Sequence, residues 1–189
     1  HITFNPDLGA TSGGYFHTTL RVPHGANGLH TTRLVVDVPY GVLVLKPEVP
    51  EGWAAEVETR QLAEYERYSS HGALVTEAPL RLTLQAESHG DGVHADHLLN
   101  VDLQLKFGCS YSDERTNTVW QRQYATWWRI YQRCANTHAN ETTEFSWSAT
   151  QSDTPDGVSP AWSALPGGER PSPYVFVEPG SRCSAEHLG

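Results

Sequence analysis

From Leu99 to Phe107 apolar and polar residues alternate without a break, so Leu99, Val101, Leu103, Leu105 and Phe107 share one face. A period of two cannot stripe a helix; it specifies a strand with one face buried. The same period recurs along the chain. Residues 15–22 line up Phe16, Thr18, Leu20 and Val22, and residues 31–38 line up Leu34, Val36 and Val38. Further runs at 2–4, 42–45, 53–57, 73–76, 80–85, 143–150 and most of 119–131 also read as strands, with Gly-, Pro- and Asn-rich turns between many of them. Residues 60–70 read as a loop or helical turn, and 110–118 and 135–141 as polar insertions. About ten short strands without a helical period predict an all-β fold, an Ig-like or cupredoxin-like β-sandwich. The sandwich is expected over residues 1–150. Residues 151–189 form a Pro/Gly/Ser-rich tail whose apolar run 174–177 is expected to pack back as a strand.

The net charge of -9 argues against a nucleic-acid partner, which needs a basic face, but suits a cation. No apolar run approaches the ~18 residues of a membrane span. The three cysteines, Cys109, Cys134 and Cys183, are an odd number, which in a secreted chain means one disulfide and one remaining thiol. Asn140-Glu141-Thr142 is an N-glycosylation sequon. No Cys-x-x-Cys pair occurs, which argues against a soft thiolate metal site, and without methionine a Met-rich Cu(I) motif is excluded. Nucleophile-elbow, phosphate-loop and EF-hand spacings do not occur either.

The chain opens on His1, which we read as the start of a mature secreted chain after removal of a signal peptide. A terminal histidine offers its α-amine and its ring Nδ1 as one chelate. A second imidazole then completes a planar three-nitrogen set, the histidine brace, which suits Cu(II). The amine titrates near ~7.7, so copper must displace its proton and acid must weaken binding. The first strand runs away from residue 1 and the second returns. Antiparallel pairing of the two would set residues 22–24 beside residue 1, and residue 24 is a histidine.

Several ordered blocks carry a resemblance. His1-Ile2-Thr3-Phe4-Asn5-Pro6 resembles the mature start of the YcnI-like domain family of exported copper proteins. Residues 15–25, ending Arg21-Val22-Pro23-His24-Gly25, are similar to that family's second strand and turn. Residues 31–42 and the Lys46-Pro47 to Gly52-Trp53 stretch are similar to its next blocks, and residues 70–77 and 131–134 match more loosely. The likeness is dense over 1–77, patchy to about 150 and absent beyond.

What the resemblance implies is an Ig-like or cupredoxin-like sandwich with Cu(II) on the terminal histidine. Its implied role is extracytoplasmic copper handling. Where part of the family has a glutamate after Val-Pro, His24 stands here, which implies a two-histidine brace of His1 and His24. The family's metal-proximal tryptophan corresponds best to Trp147; core packing is the other reading of that residue. His97 is either a further ligand or near-metal residue, or part of a solvated turn with His94. By sequence position alone, His30 is close enough to His24 to serve as an accidental or transfer ligand, and His17, on the opposite strand face from Phe16, is expected at the surface. Many family members with this turn carry a cysteine where Ala26 stands, so Cys134 is expected to take Cys109 or Cys183 as its partner instead. The function so implied is storage, delivery or scavenging of copper, with the ion and a copper-handling protein as partners. The alternatives are a copper-dependent oxidative enzyme, like the monooxygenases that cut polysaccharides, and a metal-free Ig-like module. Catalysis is the less favoured, because neither an axial tyrosine nor a row of substrate-stacking aromatics can be assigned.

Overall fold

The computed structural model describes residues 2–109, 124–136, 141–147, 159–160, 173–178 and 180. The strands, in chain order, are β1 (Thr3–Asn5), β2 (Ala10–Thr11), β3 (Tyr15–Val22), β4 (His30–Asp37), β5 (Val42–Pro47), β6 (Trp53–Gln61), β7 (Tyr68–Ser70), β8 (Ala73–Val75), β9 (Glu77–Ala86), β10 (Leu99–Phe107), β11 (Tyr124–Trp127), β12 (Arg129–Asn136), β13 (Glu141–Trp147), β14 (Ser159–Pro160) and β15 (Tyr174–Glu178). One sheet has the order β1-β3-β10-β5 and a second the order β14-β13-β12-β4-β9-β6. A small third sheet, β11-β15-β2, and the β7-β8 hairpin complete the architecture. No helix among the described residues is long and apolar enough to cross a membrane.

The two large sheets enclose one core because their strands alternate. In β10 the expected five residues, Leu99 to Phe107, are all buried. In β3 the buried set is Phe16, Thr18, Leu20 and Val22. Leu34 and Val36 of β4, Leu82 and Leu84 of β9 and Ile130 of β12 meet them from the opposite sheet in the same core. Val175 and Val177 of β15 join that core, and β15 lies parallel to β2, so the apolar run near the chain end does pack as a strand.

Three expectations on the elements need correcting. Residues 119–131 do not form one strand in their described part. The chain breaks at Trp128, which is fully buried and whose backbone N–H reaches Pro173. The break lets β11 pair with β15 while β12 passes to β4 and β13 in the other sheet. Secondly, β6 runs to Gln61 rather than ending at 57. It is a sheet-edge strand exposed along most of its length, so no alternation marks it. Thirdly, Ala135 and Asn136 belong to β12 and Glu141 to β13, so the described ends of the second polar insertion are hairpin strand. Residues 110–123, which include Trp120, and the connecting 137–140 lie outside the described residues.

Candidate metal site at the His24 turn

The strand β1 pairs antiparallel with β3, Thr3 opposite Arg21 and Phe4 opposite Leu20. This is the return of the chain that the sequence suggested. Ile2 and Phe4 are buried, and the Phe4 ring packs on Trp128 with centroids 5.0 Å apart. Past Val22 the chain leaves β3 through Pro23 and His24 into a tight turn. Asn27 and Gly28 both have positive φ, 53° and 74°, and Leu29 N–H bonds Ala26 C=O at 2.8 Å. Two consecutive left-handed residues are what a type I′ hairpin turn needs, and Asn-Gly supplies them at low cost.

Gly25 is needed for a different reason. A Cβ there would lie 2.0 Å from the Leu29 carbonyl oxygen and 3.1 Å from the Ala95 Cα. Its N–H also bonds Ala95 C=O at 2.8 Å, which pins the turn to the 93–97 loop. Gly25→Ala should therefore destabilise the fold by about 1–3 kcal/mol, since neither backbone can give way, and a denaturant titration will measure it.

His24 is exposed, and its Nδ1 lies 2.5 Å from the Gly25 carbonyl oxygen. A carbonyl can only accept, so Nδ1 carries the proton and, in the neutral ring, Nε2 carries the free lone pair. A backbone carbonyl holding one ring nitrogen so that the other faces a metal is the usual outer support of a metal-bound histidine.

Behind His24 lies a buried polar hub. Gln132 of β12 is only 3% exposed. Its Nε2 donates to the His24 carbonyl and to Thr31 Oγ1, both at 2.9 Å. Its Oε1 accepts from Trp147 Nε1 at 3.3 Å. Trp147 is 7% exposed and belongs to the core, so its ring packs, and its N–H joins it through one amide to the backbone of His24. Gln132 did not figure among the expected site residues. The signal was there: it interrupts the apolar face Ile130–Cys134 of β12, and a buried amide on such a face has a hydrogen-bonding task.

Cys134 is a correction. It is a buried free thiol, not a disulfide partner. It sits beside Thr31, at the His24 end of the sandwich, whereas Cys109 follows Phe107 at the other end of the nine-residue β10. That strand spans roughly 30 Å, and a disulfide needs Cα atoms within about 7 Å. Burial pushes the Cys134 thiol up from its ordinary value, against smaller lowering effects from Thr31, the Ala26 backbone and Gln132. A raised pKa leaves less thiolate at neutral pH, and thiolate is the reactive form. Cys134 should thus resist a disulfide-exchange reagent at pH 7 in the folded protein and react promptly once unfolded.

His1, Asn140 and Cys183 lie outside the described residues. His17 is exposed, as expected. His97 turns toward His94, their ring centroids 5.0 Å apart. Among the described residues no three His, Cys, Asp or Glu side chains are already grouped as a metal-ligand set. A depression of about 550 Å³ on the outer face of the six-stranded sheet is lined by charged residues, Arg33, Glu56, Glu58 and Arg133 among them.

A two-sheet antiparallel sandwich of this kind is an immunoglobulin-like fold. A solved structure, described as an uncharacterized protein from Nocardia farcinica with an immunoglobulin-like fold, is similar to it at a TM-score of 0.56 and 21% identity. The likeness covers 94% of this chain and 98% of that one. Residues 1–163 match the model of a domain of unknown function, DUF1775, and the chain belongs to that family, the YcnI-like proteins. No curated protein matches.

Proposed function

We propose that this protein is a secreted copper handler that binds Cu(II) with a histidine brace, in the form whose first residue is His1. The ligands are the α-amine and Nδ1 of His1 and Nε2 of His24. The observation that carries the reading is the exposed His24 ring, whose Nδ1–H is tied to Gly25 C=O and whose Nε2 is left to bind. The β1–β3 register supports it. Thr3 stands opposite Arg21, so this end of the ladder points toward Pro23 and His24. Trp147 contributes a dry wall behind the site rather than a ligand, because its N–H is engaged by Gln132.

Storage, delivery or scavenging of copper is the role proposed, with oxidative catalysis as the alternative. Secretion brings with it a disulfide between Cys109 and Cys183, the pair left when Cys134 is free, and a glycan at Asn140. Unfolded but unreduced protein should then release one thiol per chain; three would refute the pairing. The test of the copper site is the electron paramagnetic resonance spectrum of the stoichiometrically loaded protein beginning at His1. A type 2 signal with hyperfine structure from three nitrogens is expected. An oxygen-dominated signal, or no stoichiometric uptake, overturns the reading.

A further inference from the structure

We propose that His30, His94 and His97 form a second metal site, a three-imidazole set for a divalent transition ion such as Zn(II), beside the His24 turn and independent of the chain terminus. The backbone brings the three together. Thr31 and Val93 exchange both of their N–H···O=C bonds, each 2.9 Å. The next pair along an antiparallel ladder from such a pair is not hydrogen-bonded, and its Cα atoms approach most closely, to about 4.5 Å. His30 and His94 occupy that pair, and their ring centroids are 4.8 Å apart. His97 N–H then bonds His94 C=O at 2.9 Å, a turn that brings the third ring to 5.0 Å from the second. The loop between them is fastened to the body of the protein by the Gly25–Ala95 bond.

These separations match metal ligation. Two imidazoles on one tetrahedral ion, at the usual ~2.0–2.1 Å N–metal distance, have ring centres roughly 5 Å apart. Packing does not explain the cluster, since His94 and His97 are exposed and His30 is half-buried. A net charge of -9 favours uptake of a cation at this surface. Binding requires ring rotations at a fixed backbone. His94 Nδ1 now accepts Asp96 N–H at 3.2 Å, and the ion replaces that long bond. Three imidazoles and a water make the open tetrahedral set that Zn(II) takes, and Cu(II) accepts the same nitrogens.

The test uses the full chain with the α-amine of His1 acetylated, so that no terminal chelate can form. Calorimetric titration with Zn(II) is expected to give one equivalent bound at micromolar Kd or tighter. His94→Gln should weaken it at least tenfold, and the triple variant His30→Gln, His94→Gln, His97→Gln should abolish it. His17→Gln should change nothing. The replaced side chains are largely exposed, so circular dichroism and Tm should stay at wild-type values. Failure of the acetylated chain to take up Zn(II), or undiminished uptake by the triple variant, overturns the site whatever the fate of the brace.

Discussion

Acetylating the α-amine of His1 will weaken Cu(II) binding at least about 100-fold relative to the form whose amine is free. Loss of a mere supporting contact around a metal costs about 10- to 100-fold in affinity. Acetylation does more. It converts the amine donor to an amide nitrogen, adds no new amine and breaks the chelate, leaving His24 and one detached imidazole. A 100-fold loss is about 2.7 kcal/mol. Competition titrations against a copper chelator of known affinity will measure it, and equal affinity in the two forms would sink the brace. His24→Ala in the His1 form is the companion experiment. It removes the second imidazole while the amine and the His1 ring stay, so affinity should fall and the nitrogen hyperfine pattern should simplify. The fold should be untouched, because the His24 ring is exposed and its contact is with the neighbouring carbonyl.

Gln132→Leu should lower stability by about 2–4 kcal/mol and Tm by roughly 5–15 °C. Leucine has nearly the volume of glutamine, so the loss is one of hydrogen bonding rather than packing. It removes a hydrogen-bond partner from three groups together: the His24 carbonyl, the Thr31 hydroxyl and the Trp147 indole N–H. Thr31 and Trp147 are buried, so water cannot readily take over. The same change should lower Cu(II) affinity about tenfold, because the His24 backbone loses its anchor to β12. Thermal melts and chelator competition separate the two effects. Thr31→Val is the informative control: it removes one hub contact that does not touch His24, so stability should fall with less effect on copper. A Gln132→Leu protein that melts like wild type would mean the hub carries little of the stability of this end of the sandwich.

What could be read in the sequence was whatever repeats with period two. The inward faces of β3, β4 and β10 follow residue for residue from alternation, because a strand with one buried face must alternate. The return of β3 past β1 was legible as geometry, since a short turn-rich loop between two strands favours a pair. The exposed edge strand β6 carried no such pattern and was cut short. Gln132 and the His30–His94 pairing were not legible, because each depends on which strand lies alongside, a fact set by the whole fold. His30 and His94 are far apart in sequence, and only the isolated Thr31–Val93 bridge makes them neighbours. Likewise His97, weighed as a ligand for the terminal site, lies over His94 because of a local turn. Cys134 was expected to find a new partner. The nine-residue span of β10 stands between it and Cys109.

Ile2 is 1% exposed, and this bears on how fast an ion can be captured. Chain ends usually fray. Fixing one residue costs about 1–2 kcal/mol of conformational entropy, and a ligand on a loose end incurs that cost at the moment of binding. With Ile2 sunk in the core, folding has already met it. For the proposed brace, the residue just after the chelate would be held before copper arrives, so capture would not have to wait for the tail to search. Ile2→Ser would restore that search, and its mark should be a slower association rate more than a faster release.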